Sequence, residues 1–460
     1  MRKFAYLITA AAIVAATPAM AQESPGSHPD NATLEAEVTT LRAQLAAQAA
    51  RLDQLEAQLR ANTTAAAAAE TPAAAAAAAG TITSATTATT ASTAAAENAP
   101  AGPDTTIGGY GEISYNGYLK DRSRNQADLK RFVLFFGHRF NERLSFNSEL
   151  EIEHAIASSS DEGEVEVEQA YLNYAVSPAL NLKAGLFLMP FGFLNRNHEP
   201  PVFFGVERNE VETRIIPSTW REGGIGIYGR TGFGLSYDVG ITTGFDVAKF
   251  DDAGAPLRGS HQELQLAKAG NLSFYGSLEY RGIPGLLVGG AVFSGNATHD
   301  NADFRADPSL PNFAGLTSRV TLWDVHSRWQ HKGFDFQALY ARGTINQAAQ
   351  LDSVLLAYNA TNGTDRPLVP SAFYGWLVQG AYSFALGGET TLDPFVRYEK
   401  FDAQARLPLG FISDPVNRDR ILTAGFSFHP VQQVVIKADY QKFFINSAND
   451  RINLGLGYMF

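Results

Sequence analysis

Four arginines in one long connection of the chain are the residues best suited to bind a solute. They are Arg196, Arg208, Arg214 and Arg221, and they lie within or just beyond residues 192–219. Arginine supplies fixed N–H donors and a positive field, so arginines grouped where a channel narrows attract carboxylate and phosphate groups. The sequence therefore predicts a site for small anions, such as phosphate or carboxylates, in this connection.

The same connection carries large apolar side chains that a purely external loop would not need. Between its charged residues lie Phe203, Phe204, Ile215 and Ile216. These side chains predict a segment folded against a wall of the protein, with its charged groups turned toward an internal channel. Two alternatives stay open: an ordered external loop, and a latch between copies of the chain.

Two rows of glutamates form a second feature with possible chemistry. The rows are Glu149, Glu151 and Glu153 in one segment, and Glu164, Glu166 and Glu168 in the next. Residues two apart share a face of a strand, so each row places its carboxylates together. Such rows either hold divalent cations or repel anions at a channel mouth, and the plainer alternative is a solvated strand end.

The sequence lacks the residue patterns of common catalytic sites. It contains no G-x-S-x-G or H-E-x-x-H motif, and its nine histidines are scattered. The absence of cysteine excludes disulfides, a thiolate nucleophile and a cysteine-ligated metal. We therefore predict that the protein is not an enzyme and holds no cofactor, with a barrel enzyme as the less favoured alternative.

The elements that must position these residues are strands. From residue 104 onward, sixteen segments alternate apolar with polar or small residues, the first at 105–120 and the last at 449–460. In the last segment Ile452, Leu454 and Leu456 alternate with Asn453 and glycines, and the chain ends on Phe460. A closing aromatic residue on the apolar face is typical of outer-membrane barrels, so we predict an all-β, sixteen-stranded antiparallel transmembrane barrel over 104–460.

The connections between these segments support a barrel, because short ones alternate with long ones. Examples of the short class are residues 141–142 and 332–333, and the long class includes 192–219 and 346–370. Tight turns at one end and long loops at the other are the anatomy of a transmembrane barrel. An even number of strands then places both barrel ends on the periplasmic side.

Alternation also assigns the side chains that line the channel. The predicted lining cations are Arg131, Arg139, Lys183, Arg281, Arg328, Arg397 and Lys437. Ten acids share this face: Glu112, Glu149, Glu151, Glu153, Asp238, Glu279, Asp324, Asp335, Glu399 and Asp439. A wall of both signs generates a transverse field that orients dipolar solutes, and its net charge selectivity is weak.

The first hundred residues form separate regions. Residues 1–21 read as a signal peptide, because Arg2 and Lys3 precede a short apolar run and Ala19-Met20-Ala21 forms a cleavage signature. A tail at 22–33 precedes a predicted coiled coil at 34–62, whose heptad seam is apolar except at Gln48. A lone amphipathic helix is the alternative. Residues 63–103, rich in Ala and Thr, read as a low-complexity linker.

Composition limits the partners. The formal net charge is −11 and no basic patch offsets it, which argues against nucleic acid. The predicted partners are small anionic solutes and the lipids of the outer membrane of a Gram-negative cell, with the N-terminal segment in the periplasm. The coiled coil and linker also allow a second role, in which the protein tethers the outer membrane to peptidoglycan.

Residues 184–226 resemble one known family. The stretch 184–192, Ala-Gly-Leu-Phe-Leu-Met-Pro-Phe-Gly, is followed by the charged connection and then by Gly-Gly-Ile-Gly at 223–226. This order is similar to the fifth strand, constriction loop and sixth strand of the phosphate-selective porin O and P family. The heptads before the barrel resemble those of related dicarboxylate-type porins. The resemblance implies a homotrimer of sixteen-stranded barrels that pass small anions, with Arg196, Arg208, Arg214 and Arg221 at the constriction.

Overall fold

The computed structural model describes residues 104–158, 160–299, 309–408 and 410–460. The predicted signal peptide, tail, coiled coil and linker all lie outside these residues. Within them the strands are β1 Thr105–Tyr118, β2 Gln126–Arg139, β3 Leu144–Glu153, β4 Val165–Ser177, β5 Leu180–Leu188, β6 Arg221–Arg230, β7 Leu235–Thr242, β8 Ser273–Tyr280, β9 Leu286–Asn296, β10 Arg319–His331, β11 Phe334–Ile345, β12 Ala372–Tyr382, β13 Phe384–Gly387, β14 Thr390–Arg406, β15 Arg418–Val431, β16 Val434–Phe443 and β17 Arg451–Met459. The α-helices are α1 Val211–Arg214 and α2 Ala348–Asn362.

These strands form one closed antiparallel sheet. Each strand pairs with its neighbours in sequence, and β1 also pairs with β17, from Tyr110 opposite Met459 to Tyr118 opposite Arg451. Segments β12 and β13 both pair with β14 and are interrupted only at Ser383, so they form a single barrel strand. The prediction of a sixteen-stranded antiparallel barrel is confirmed.

Side chains alternate between the two faces of the wall. On β10, Trp323 and Val325 are exposed on the outer face, whereas Leu322, Asp324 and His326 are buried on the inner face. The same alternation on β17 exposes Ile452 and Leu454 and buries Asn453. An apolar outer face with a polar inner face is the pattern of a transmembrane barrel.

Strand boundaries differ from the predictions where local chemistry ends the pairing. The sequence pattern predicts that the fifth strand extends to residue 191, but the strand ends at Leu188, shortly before Pro190. Proline has no N–H to donate to the ladder, so strands seldom continue through it. The pattern also predicts that the third strand reaches residue 157 and the seventh residue 246, whereas they end at Glu153 and Thr242.

One long connection contains a helix that the sequence analysis did not predict. Helix α2 lies in the connection between β11 and β12, and Leu351 and Leu355 bury one face of it. It ends at Gly363, whose φ of 65° suits a left-handed cap. In the described part of the chain, no helix has both the length and the apolar character to cross a bilayer.

Candidate functional site: a segment inserted into the barrel

The connection between β5 and β6 is a long excursion whose two ends lie side by side. Leu188 pairs with Arg221 across the two strands, so the chain leaves and re-enters the wall at one place. Between them lie a 3-10 turn at Pro200–Val202 and helix α1. We call residues 189–220 the inserted segment.

The inserted segment contacts strands all round the barrel. The Phe193 ring meets His326 of β10 with centroids 5.1 Å apart, and the Phe204 ring stacks on Phe395 of β14 at 5.7 Å. The Val206 N–H donates to Asp439 of β16 at 2.6 Å. These strands are not neighbours of β5 and β6, so one segment reaches them all only by running inside the closed wall.

An apolar cluster anchors the start and end of the segment. The Trp220 ring packs against Phe191, Phe245 and Phe293, with centroids 4.9 to 5.0 Å apart. Asn195 joins the two ends, because its amide donates to the carbonyls of Met189 and Trp220, both at 2.8 Å. The apolar residues at the two ends of the inserted segment thus pack against the wall.

Glu212 holds a turn at the beginning of the segment. Its carboxylate accepts from the backbone N–H of Phe193 at 2.5 Å and of Leu194 at 2.8 Å, and from the Asn209 amide at 2.6 Å. Burial raises the pKa of Glu212 above its usual value. Gly192, with φ of 57°, is required here because a Cβ would collide with this carboxylate.

Three of the four predicted constriction arginines are paired with acids. Arg196 lies 3.7 Å from Asp238 and 3.5 Å from Glu279. Arg214 bonds Glu210 one helical turn earlier, at 2.5 Å. Arg221 is the first residue of β6 and contacts Glu166 and Glu263.

Arg208 is different, because it has no carboxylate within 4.0 Å among the described residues. One of its terminal nitrogens donates to the Ser218 hydroxyl at 2.5 Å. Its Nε and its other terminal nitrogen have no hydrogen-bond partner, although the side chain is buried. This guanidinium therefore keeps two free donors, and the carboxylates of Glu112 and Glu151 act on its charge only from beyond ion-pair distance.

Six of the predicted lining cations lie on the inner face of strands, whereas Arg281 lies in the exposed turn after β8. Most of the seven are compensated. The ion pairs are Arg131 with Glu151 and Glu153, Arg139 with Asp104, Lys183 with Asp238, Arg281 with Glu279, Arg328 with Asp335, and Arg397 with Glu399. Lys437 instead donates to the Gly205 carbonyl at 2.8 Å and lies over the Phe203 ring. Arg139, Arg281 and Arg328 lie close to the short-turn end, away from the inserted segment.

The sequence analysis missed a second cluster on this wall, formed by Lys130, Glu207 and Arg451. A β-bulge between β1 and β2 leaves Lys130 unpaired, so it turns inward beside Arg131 and bonds Glu207 at 2.5 Å. Burial would raise the pKa of Glu207, but Lys130 and Arg451 outweigh it and lower this pKa to about 2. Strict alternation around Arg131 would assign Lys130 to the outer face of the barrel. Its inward position could be predicted only from a signal for the β-bulge.

A third cluster joins the inserted segment to β3 and β4. His198 Nε2 lies 3.7 Å from a Glu149 oxygen and 3.7 Å from a Glu168 oxygen. Burial alone would lower the pKa of His198, but the two carboxylates outweigh it and raise this pKa to about 10. Part of the predicted glutamate rows therefore faces the inserted segment and is buried, rather than forming a solvated strand end.

Comparison with known proteins gives one relative in sequence. The chain is 34% identical over 339 residues to an uncharacterized protein of Aquifex aeolicus strain VF5, covering 73% of this chain and 74% of the relative. The chain belongs to the family of this protein. No model of a described protein family matches the chain, so membership of the phosphate-selective porin O and P family stays a prediction.

Solved structures show which fold this family has. OmpF of Salmonella typhi, in complex with daunomycin, matches 77% of this chain and 97% of its own with a TM-score of 0.53 at 13% identity. The outer membrane channel DcaP of Acinetobacter baumannii matches 77% of this chain and 97% of its own, with a TM-score of 0.46 at 14% identity. The likeness to OmpF shows that this chain has the barrel fold of the outer-membrane porins.

Proposed function

We propose that the protein is an outer-membrane porin through which small hydrophilic solutes diffuse passively, with a preference for small anions. The closed wall with an apolar outer face and a polar inner face supports the channel. The observation that carries the preference is Arg208, the constriction arginine without a carboxylate partner. The other three arginines are largely neutralised, so we expect a modest preference for carboxylate or phosphate groups.

The expected size of this preference follows from Coulomb's law. A unit charge acts on an ion about 7 Å away with about 0.6 kcal/mol at the dielectric constant of water, roughly a threefold effect on permeability. The test is the reversal potential of the purified protein in a planar bilayer with a KCl gradient. Because the anion and the cation respond with opposite sign, Arg208→Gln should lower the ratio of anion to cation permeability about sevenfold, and Arg208→Lys should retain most of it.

A charge-matched control separates the local effect from a change in total charge. Arg139→Gln removes the same charge at the short-turn end, where Arg139 pairs with Asp104, and should shift the reversal potential much less. Neutralising Arg196, Arg208 and Arg214 together should lower the permeability ratio further than Arg208→Gln. An unchanged reversal potential in both the Arg208→Gln and the triple variant would contradict this assignment. Competition with phosphate, succinate and sugars would then rank the solutes.

We also propose that the N-terminal segment is periplasmic and that the protein is a homotrimer, as the resemblance to trimeric porins implies. The mass of the detergent-solubilised protein, measured by native mass spectrometry, tests the oligomer. A monomeric mass for both the full protein and a variant without residues 34–62 would contradict the proposed trimer.

A further inference from the structure

Three buried side chains converge where the inserted segment touches the wall. Glu149 projects from β3, Glu168 from β4, and His198 from the inserted segment. Each is at least 97% buried. We call these three residues the His198 cluster, and it has no part in the proposed choice of anions.

The atoms that face one another in the His198 cluster lack hydrogen-bond partners. Unpaired are His198 Nε2, Glu149 Oε1 and both carboxylate oxygens of Glu168. Buried polar atoms in folded proteins are nearly always paired, so four unpaired atoms around one point indicate a missing partner. Three of the four belong to two carboxylates, and a protonated His198 offsets only one of their two negative charges, so a divalent cation fits this position better.

The surrounding groups leave this position open. Two nearby arginines are directed at other acids, Arg131 at Glu151 and Glu153 and Arg221 at Glu166 and Glu263. A third, Arg208, acts on His198 by its charge but donates to the Ser218 hydroxyl. Within the part of the chain described, Glu168 has no ion pair except His198, whose nitrogen is 3.7 Å away. An arginine side chain therefore does not fill the role of the missing cation.

Neighbouring groups orient these side chains toward one another, as they do for the ligands of a metal ion. His198 Nδ1 lies 3.3 Å from the Asn195 carbonyl, which favours a proton on Nδ1 and directs Nε2 at the two carboxylates. The other Glu149 oxygen accepts from the Gln169 amide at 2.6 Å. Glu168 lies at a β-bulge between β3 and β4, a feature that re-aims side chains next to functional sites.

We propose that the His198 cluster binds one divalent transition-metal ion of the zinc type, which ties the inserted segment to the barrel wall. One imidazole nitrogen and two carboxylates are a donor set that such ions accept. Ligand bonds of about 2.1 Å place tetrahedral ligand atoms roughly 3.4 Å apart. The two distances from His198, each 3.7 Å, need only a small contraction to reach this spacing, and all three ligand atoms lie within 4.8 Å of one another.

The chain contains a nearby alternative for a different ion. Glu151, Glu166 and Glu168 also have ligand atoms within 4.8 Å of one another. An all-oxygen set suits Ca²⁺, whereas a site with an imidazole ligand favours zinc-type ions. Substitution of His198 therefore distinguishes the two sites.

The test uses the untagged full-length protein in detergent, stripped with a chelator and then equilibrated with Zn²⁺ alone. Elemental analysis after dialysis should find one Zn²⁺ per chain whose binding depends on the residues of the His198 cluster. His198→Gln and Glu168→Gln should each weaken Zn²⁺ binding at least tenfold. The matched controls are His331→Gln, at the exposed end of β10, and Glu142→Gln, in an exposed turn, and both should bind as the wild type does. Circular dichroism verifies that each variant keeps its β-structure.

Wild-type protein that retains no Zn²⁺, or His198→Gln that binds Zn²⁺ as tightly as wild type, would overturn the proposal. Binding of Ca²⁺ in place of Zn²⁺, lost in Glu168→Gln but kept in His198→Gln, would also overturn it and point to the all-oxygen set. Should His198→Gln fail to fold, Co²⁺ bound to the wild type decides. The intense visible bands of a four- or five-coordinate ion support the cluster, and only the weak bands of an octahedral ion contradict it. None of these outcomes depends on whether the barrel conducts.

Discussion

Replacing Glu212 with alanine should release the start of the inserted segment. The carboxylate of Glu212 is buried and accepts from the backbone N–H groups of Phe193 and Leu194. Within the described residues, Glu212 is the side-chain acceptor of both N–H groups, and the Glu212→Ala variant removes it. A buried donor left without a partner costs about 1–3 kcal/mol, so the two together destabilise the closed segment by about 2–6 kcal/mol.

The loss is measurable as backbone hydrogen exchange. A decrease of about 2 kcal/mol in the opening free energy raises the exchange rate roughly thirtyfold, and larger losses raise it further. Mass spectrometry of the peptide that contains Phe193 and Leu194, with the protein in detergent, gives this rate directly. Peptides from the distant strands β14 to β16 should exchange as in the wild type.

The conservative and the matched variants make this prediction sharper. Glu212→Gln keeps one oxygen acceptor and should exchange at a rate between those of wild type and Glu212→Ala. Glu199→Ala removes a buried glutamate of the same segment whose side chain caps no helix turn, and it should change exchange at Phe193 by less than threefold. Equal exchange in Glu212→Ala and wild type would refute the anchoring role of Glu212.

Three further predictions concern the helix and the wall. Burial raises the pKa of Asp352 in α2 from 3.8 to about 6, so the docking of α2 is most stable below pH 4 and loses up to about 3 kcal/mol as the pH rises through 6. Asp352→Asn should therefore slow proteolysis of the connection 346–371 at pH 8 but not at pH 4, and equal rates at pH 8 would contradict this. Gly457→Ala places a methyl group against Pro200, so backbone hydrogen exchange of residues 199–207 should become faster. Unchanged exchange would contradict the contact between the inserted segment and β17. Leu351 is fully buried, so Leu351→Ala should lower the free energy of opening of α2 by about 2–5 kcal/mol. Hydrogen exchange of the α2 backbone measures this loss. A loss below about 1 kcal/mol would contradict the packing of α2 against the barrel.

The strands could be predicted because their signal is local. A transmembrane strand needs an apolar face toward lipid, so its side chains alternate in sequence, as at Ile452, Asn453 and Leu454. The closing pairs between β1 and β17 needed no separate signal, since an even set of neighbouring strands with an apolar outer face must close. The break at Ser383 was missed because the alternation on both sides of it is unchanged.

The partners within the site could not be predicted, because they are distant in sequence. Arg221 contacts Glu166, and Arg196 contacts Glu279. The two members of each pair are more than fifty residues apart, and no local sequence pattern predicts such contacts. The sequence therefore predicts a role for four arginines at a constriction, but it does not show that Arg208 alone among them has no carboxylate within 4.0 Å in the described part of the chain. The bulge that turns Lys130 inward escaped prediction for a related reason, since a single inserted residue leaves the rest of the strand pattern intact.

Helix α2 was missed although it carries a recognisable signal. Leu351, Val354, Leu355 and Tyr358 recur at helical spacing within a connection that was treated only as a long loop. Its hydrophobic residues pack toward the barrel end, which is a tertiary reason for a helix in this connection. A helical period inside a long connection is therefore worth testing even in an all-β chain.

The most direct test of the channel compares single-channel conductance in a planar bilayer for the wild type and a variant without the inserted segment. Because Leu188 and Arg221 pair, a short Gly/Ser linker can replace residues 192–217 without straining the wall. The wild type should give discrete, ohmic conductance steps, and the variant should give larger steps. Absence of steps from both proteins, or steps of the same size, would contradict a water-filled barrel narrowed by this segment.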